Sequence, residues 1–343
     1  MSQDVLRFFH PLLAARELGR RPVRATVADR HVVLFRDAGG QPAALDDLCP
    51  HRRAPLSDGH VNASGRIVCP YHGWNFDTQG HGRSPSCPEL RHCDTRAYQL
   101  REHCGHLWIA TRDTPAAQLP QLAWDGFHPA GSVTALVRAP LDVTLDNISE
   151  DEHFPFIHST FGWDADSLAD VTLDTVNAAD HSQVRYGGRQ RPSPWSVLGG
   201  VRAGDLFHNR WITRFDPVHA VYTFGWRDAH GRERPITTRA AVFLVPETAT
   251  TTRIHMFLFL RIAPSAYRAA RPAVHWLARH ISGMELARDV RLIESVASAP
   301  RTLAGMRLTR FDKALIHNRK MLQAIYWGNG ENVIDFHLRE EQQ

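Results

Sequence analysis

Between residues 49 and 72 the chain reads Cys49-Pro50-His51, then seventeen residues, then Cys69-Pro70-Tyr71-His72. Each segment sets one thiol beside one imidazole. Two such segments brought together supply two thiolates to one iron and two imidazoles to a second, the donor set of a [2Fe–2S] cluster with mixed ligation. The mixture excludes the nearest rivals: a plant-type ferredoxin cluster needs four thiolates, and a structural zinc site spaces its pairs as C-x2-C or H-x3-5-H. Both pairs also run straight into turn chemistry, Arg52-Arg53-Ala54-Pro55 after the first and Gly73-Trp74 after the second. With 5 Cys and 21 His in the chain, one such pair arises readily by accident, whereas two with matching turns do not.

The stretches Cys49-Pro50-His51-Arg52 with Ala54-Pro55-Leu56, and Cys69-Pro70-Tyr71-His72-Gly73-Trp74, resemble the Rieske domain of the aromatic-ring-hydroxylating and demethylating oxygenase family. They are less similar to the Rieske proteins of respiratory chains. In those, each loop carries a further Cys and the two form a disulfide, whereas here no Cys other than Cys49 and Cys69 lies in either loop.

A chain of 343 residues exceeds what one hydrophobic core of roughly 250–300 residues accommodates, so two domains are expected. Thr114-Pro115-Ala116-Ala117-Gln118-Leu119-Pro120 reads as the linker, which places a first domain at 1–120 and a second at 121–343. The net charge is only +4 and the dispersed basic residues are nearly all Arg, so nucleic acid is not a partner, while an acidic electron carrier is compatible. No apolar run approaches the roughly 18–20 residues of a membrane span. The start Met1-Ser2-Gln3-Asp4-Val5-Leu6-Arg7 lacks signal-peptide patterning, and a cytoplasmic protein is the expectation. Cys87, Cys93 and Cys104 are then free, partly buried thiols.

Arg30 to Phe35, Pro42 to Leu45, Asn75 to Phe76 and His106 to Ala110 read as short strands separated by Gly and Pro turns. No amphipathic helix interrupts them, so the first domain is all-β with the cluster at its tip, where each ring binds iron through one nitrogen and turns the other outward. From Phe161 to Arg239 alternating apolar positions predict a sheet with one buried face, and Trp211, Phe224, Trp226 and Phe257 are candidates to line a cavity. Ala240 to Pro246 and Arg253 to Arg261 form the clearest strand pair. A helix is predicted from Pro272 to Ala299, another after Leu308, and a frayed end at Glu340-Glu341-Gln342-Gln343.

The second cluster of chemistry runs from Leu141 to His158. Asp146 or Asn147 is expected to cap a helix whose first turn carries Glu150, Asp151 and Glu152. His153 and His158 lie five apart, so on a regular helix they would point about 140° away from each other. A distortion at Pro155 is needed for both to face one ion. Alone this pair is a weak signal.

Oxygenases of the family carry Asn-x2-Asp-x2-His-x4-His, and this chain has Asn147-x2-Glu150-x2-His153-x4-His158, with Glu where the family has Asp. Ala287-Arg288-Asp289-Val290-Arg291-Leu292-Ile293-Glu294 resembles the family's Asp-x4-Glu segment. The resemblance implies that His153, His158 and Asp289 hold one mononuclear Fe(II) as a 2-His-1-carboxylate site. The plainer reading of Asp289 is an exposed helix Asp paired with Arg288 or Arg291. Glu150 would be the acid linking a cluster histidine of one subunit to an iron histidine of its neighbour, with Asp151 an alternative and Asn147 accompanying it. The implied fold is α+β, an N-terminal all-β Rieske domain followed by a helix-grip catalytic domain with an antiparallel sheet, assembled as a homotrimer.

Three ligands leave iron positions open, but reducing O2 needs electrons beyond those of one Fe(II), and a cluster in the same chain provides them. The chain is therefore expected to be an oxygenase component fed from NAD(P)H by a ferredoxin or a separate reductase, since no G-x-G-x-x-G loop is present. It resembles the branch of monooxygenases and demethylases that act on vanillate, dicamba and steroids. Ring cis-dihydroxylation is the alternative reaction, and a Rieske electron-transfer protein without its own oxygen site is the alternative class.

Overall fold

The computed structural model describes residues 5–193, 200–262 and 264–327. The predicted frayed end at Glu340–Gln343 lies outside them. The chain divides into two compact units, Met1–Leu122 with Val245–Ala249, and Ala123–Leu244 with Thr250–Gln343. Among the described residues no helix is long and apolar enough to cross a membrane.

Ten strands build the first unit: β1 (His10–Ala14), β2 (Val23–Val27), β3 (Arg30–Arg36), β4 (Pro42–Asp46), β5 (His60–Val61), β6 (Ile67–Val68), β7 (Asn75–Phe76), β8 (Gly82–Arg83), β9 (Ala97–His103) and β10 (His106–Ala110). They form a six-stranded sheet in the order β1-β10-β9-β4-β3-β2 and a four-stranded sheet β5-β6-β7-β8, antiparallel throughout. Strand β3 explains the layering. Its run Val32-Val33-Leu34-Phe35 is wholly buried, and because successive strand residues point to opposite faces it feeds two cores. Val32 and Leu34 join one with Leu107 and Ile109, whereas Val33 and Phe35 join the other with Leu56, Ile67, Trp74, Phe76 and both Cys49 and Cys69. The thiols of Cys49 and Cys69 are thus rooted in a hydrophobic core.

The second unit is a seven-stranded antiparallel sheet of β11 (His128–Val137), β12 (Thr172–Asn177), β13 (His181–Arg189), β14 (Leu206–Phe215), β15 (Val218–Arg227), β16 (Glu233–Thr248) and β17 (Thr251–Ile262). Its order is β11-β17-β16-β15-β14-β13-β12. The helices among the described residues are α1 (Leu141–Ile148), α2 (Phe154–Ile157), α3 (Pro264–Val296) and α4 (Leu315–Leu322). The predicted helix from Pro272 begins earlier, and Pro272 sits inside α3. Helix α3 packs on β11, where Arg279 Nη1 donates to the Ala130 carbonyl (2.8 Å) beside a bulge at Gly131. The fold is α+β, an all-β first unit and an antiparallel sheet with few helices in the second.

Candidate metal centres

The two cluster loops have one backbone design. Cys49 N–H donates to the Ala54 carbonyl (2.9 Å) and Arg53 N–H to the Cys49 carbonyl (2.8 Å); Cys69 N–H donates to Trp74 (2.7 Å) and Gly73 N–H to Cys69 (3.2 Å). At the fourth position after each Cys the backbone turns left-handed, with φ of 61° at Arg53 and 71° at Gly73. Glycine meets that demand without cost, whereas Arg53 adopts a conformation unfavourable for a residue with a Cβ. Each loop is tied at its base. Buried Asp47 accepts from Ser57 N–H (2.6 Å) and Ser57 Oγ (2.7 Å), and Arg66 donates to Asn75 Oδ1 (2.6 Å) and Asp77 Oδ2 (3.2 Å).

Four donors converge from these loops. Cys49 and Cys69 are buried thiols without a disulfide. Burial, opposed by N–H groups of the loop, raises the Cys49 thiol to about 11, with the neighbouring Cys69 adding to the rise. The rings of His51 and His72 are exposed with centroids 4.5 Å apart, and Trp74 stacks on His51 at 4.8 Å. Two buried sulfurs behind two exposed imidazoles fit one buried and one solvent-edge iron.

The second constellation departs from the expected helix. Helix α1 ends at Ile148, so Asp146 and Asn147 occupy its last turn and cap nothing at an N-terminus. That placement has a physical cause: Asp142 and Asp146, four apart, turn one face to Arg301 and to buried Arg319, whose guanidinium is held by both Asp146 oxygens. Glu150, Asp151 and Glu152 fall in the connection that follows. His153 and His158 then bracket the single turn α2, which carries Pro155 at its start. The chain leaves that turn at His158, whose backbone is extended, and the two Nε2 atoms lie 3.2 Å apart.

Asp289 Oδ1 completes a triangle with them, 3.5 Å from His153 Nε2 and 3.2 Å from His158 Nε2. It is buried and makes no aligned hydrogen bond. The three donor atoms lie within 4.8 Å of one another. Each imidazole is oriented from behind by a carboxylate. His153 Nδ1 donates to Glu150 Oε1 (2.5 Å), and His158 Nδ1 donates to Glu285 Oε2 (2.8 Å). This arrangement fixes the tautomer that leaves both Nε2 lone pairs facing the common point, as metal-binding histidines require. Burial disfavours a charged His153, but Asp289 and Glu150 outweigh it and raise the ring to about 10; His158 is raised likewise by Asp289 and Glu285. Burial alone would raise Asp289, yet the two rings beside it hold it below the usual carboxylate range. Two imidazoles and one carboxylate on one face fit a mononuclear iron with open positions.

Residues 8–103 match the Rieske [2Fe-2S] domain, and residues 137–326 match the vanillate O-demethylase oxygenase C-terminal domain. The chain belongs to the vanillate O-demethylase oxygenase family. Within that family's reach, it is 29% identical over 292 residues to the vanillate O-demethylase oxygenase subunit of a Pseudomonas species, covering 78% of this chain and 85% of the relative. It is 38% identical over 138 residues to chlorophyllide a oxygenase of Chlamydomonas reinhardtii, covering 38% of this chain and only 21% of that longer protein. Its fold is similar to that of dicamba monooxygenase bound to 3,6-dichlorosalicylic acid, with a TM-score of 0.80, 19% identity, and coverage of 95% and 99% of the two chains.

This oxygenase-family chain brings Glu150 rather than Asp151 to His153. Buried Asp151 instead accepts from Asn209 Nδ2 (2.8 Å). Asn147 lines the cavity beside the triangle, with its Oδ1 buried and unbonded. Of the four candidate aromatics only Phe224 lines that cavity; Trp211 stacks on Tyr186, Trp226 donates to Gln190, and Phe257 packs on Phe243.

Sequence reasoning missed three groups. Glu285 is buried behind His158, where Thr160 Oγ1 donates to it and Arg288 Nη1 lies at 2.9 Å. The signal was present, because Glu285 precedes Asp289 by one helical turn, the spacing that shares a face. Arg191 grips the turn between the histidines through the carbonyls of Pro155 (3.3 Å), Phe161 (3.2 Å) and His158. Nothing in its local sequence marks that role. Asn209, a polar residue on the buried face of β14, is the third.

Proposed function

We propose that this chain is the terminal component of a Rieske oxygenase system that hydroxylates or oxidatively demethylates a small organic substrate with O2. The observation that carries the reading is that one chain holds both donor sets, two thiols with two exposed imidazoles, and two carboxylate-backed imidazoles with Asp289. The family relationship supports it, and a relative matched over most of both chains is a vanillate O-demethylase oxygenase subunit.

Bound iron supplies the site of O2 activation, and the cluster supplies electrons one at a time. The chain's own residues do the rest. Glu150 and Glu285 hold the rings of His153 and His158 so that their Nε2 atoms stay convergent. The adjoining cavity, of about 130 Å³, is walled by Phe161, Phe207, Phe224, Val242, Met256 and Leu258, which exclude water and orient an apolar substrate. The exposed rings of His51 and His72 give an electron donor its point of approach. That donor is a ferredoxin or an NAD(P)H-dependent reductase. The working assembly is a homotrimer in which Glu150 joins a cluster histidine of one subunit to His153 of the next.

The reading is tested by supplying reductase, NADH and 18O2 to the purified holoprotein with candidate methoxyarenes. Substrate-dependent O2 uptake with 18O in the product is expected. Reduction of the cluster without any substrate-dependent O2 consumption would instead leave an electron-transfer protein.

A further inference from the structure

The two imidazoles of the triangle are backed by carboxylates in unlike surroundings. Behind His153, Glu150 Oε1 accepts from the ring alone (2.5 Å), and Oε2 takes the backbone N–H groups of Glu152 and His153. Among the described residues no Arg or Lys pairs with Glu150. Behind His158 the carboxylate is shared. Glu285 Oε2 accepts from His158 Nδ1 (2.8 Å) and from Arg288 Nη1 (2.9 Å), while Oε1 accepts from Thr160 Oγ1.

The sharing follows from positions on α3. Glu285 and Arg288 lie three apart and meet on one face, and Asp289, one residue on, reaches the triangle. The same Nη1 donates to Ser159 Oγ (2.7 Å), the residue that follows His158. Glu285 is only 7% exposed, so its charge needs a counter-charge, and Arg288 is its cationic partner. Neutralisation alone could have used Oε1, which holds only the Thr160 hydroxyl. Instead the guanidinium sits on the oxygen that holds the ring. An imidazole becomes a stronger ligand when its outer N–H is bound by a stronger acceptor. A carboxylate oxygen already bound to a guanidinium accepts less strongly from a second donor. His158 is then the weaker ligand of the two, in keeping with its longer hydrogen bond, 2.8 Å against 2.5 Å at His153.

Building on the oxygenase reading, we propose that Arg288 sets the strength of His158 as a metal ligand by sharing Glu285 Oε2, and so makes the two histidines unequal. Arg288 does not line the cavity and acts through Glu285, as a positioning residue. Removing its charge leaves Oε2 to the ring, makes His158 more electron-rich and favours Fe(III) over Fe(II).

The test is an anaerobic redox titration of the iron-loaded holoprotein without substrate, following the high-spin Fe(III) signal of the mononuclear site by EPR and the Rieske signal beside it. Arg288→Gln is expected to raise the ratio of Fe(III) to Fe(II) affinity about tenfold, a fall of about 59 mV in the midpoint, with the Rieske midpoint unchanged. Arg288→Met gives the same reading where the amide variant does not load iron. Arg288→Lys keeps a charge on Glu285 and should stay within about twofold of the parent. In Glu285→Gln the shared oxygen has lost its charge, and adding Arg288→Gln there should move the ratio by less than about twofold. A shift of equal size with and without Glu285 would be the plain field of the guanidinium and overturns the proposal. So does an Arg288→Gln midpoint equal to the parent's, or Arg288→Lys behaving as Arg288→Gln does. Those results, in a protein that holds mononuclear iron, leave the oxygenase reading standing. A parent whose cluster is reduced but which gives no mononuclear Fe(III) signal overturns both.

Discussion

Glu285 Oε2 lies 2.8 Å from His158 Nδ1, across 127 positions of sequence. The pair joins helix α3 to the loop after α2, and Glu285 therefore acts on the metal only through the ring it holds. Carboxylates in this position typically change metal affinity by about 10- to 100-fold when removed. Glu285→Ala is expected to weaken Fe(II) binding by that order while leaving the Rieske absorption spectrum unchanged. Chelator competition followed by the spectrum checks both halves; unaltered iron affinity would show that His158 needs no such support.

Glu150 holds the other ring and also accepts from its own chain at Glu152 N–H (2.5 Å) and His153 N–H (3.3 Å). Glu150→Gln preserves the size of the side chain but replaces its charge. Both metals should remain bound, while cluster oxidation in a single turnover loses its link to product. Rapid-freeze quantification of oxidised cluster against product checks this, and a normal ratio would mean that another group carries the connection.

Arg319 is 2% exposed and is held by both oxygens of Asp146, at the end of the helix that leads into the histidine loop. Arg319→Leu leaves the half-buried Asp146 carboxylate without its guanidinium, and breaking a buried pair from one side costs about 3–5 kcal/mol. Urea unfolding should report a loss of that size. A loss below about 1 kcal/mol would place the pair with surface ion pairs.

His10 gives the fold a predictable acid response. Burial, partly offset by a hydrogen bond from its ring to the Val5 carbonyl, lowers its pKa from 6.5 to about 4. The folded ring is neutral while the unfolded chain takes up a proton near the ordinary value. Its contribution is therefore complete above pH 6.5 and lost as the pH falls toward 4. At pH 5 the loss amounts to about 2 kcal/mol. Comparing His10→Leu with the parent between pH 7.5 and 5, the variant's unfolding free energy should fall less by that amount; parallel curves would contradict it.

Much of this was legible in the sequence because the informative spacings are local. Cys49, His51, Cys69 and His72 announce two loops, and the β-branched and aromatic run up to Phe35 announces a strand, though not that it feeds two cores. The end of α1 was not legible. Asp146 and Asn147 are good N-cap residues, but the ion pair of Asp146 with Arg319 places them in a last turn, and that partner comes from a distant helix. Glu285 and Arg191 escaped for the same reason, since their importance is set by which carbonyl or ring the fold brings against them. Asn209 was hidden differently, in an alternating strand pattern where only burial reveals that a polar residue stands on the inner face.

The central claim is that one chain carries two kinds of iron site, and iron and acid-labile sulfide per chain test it most directly. About three irons and two sulfides are expected in the reconstituted protein, falling to about two irons with the cluster's spectrum intact in Asp289→Ala. Two irons per chain in the parent protein, unchanged in Asp289→Ala, would contradict the account.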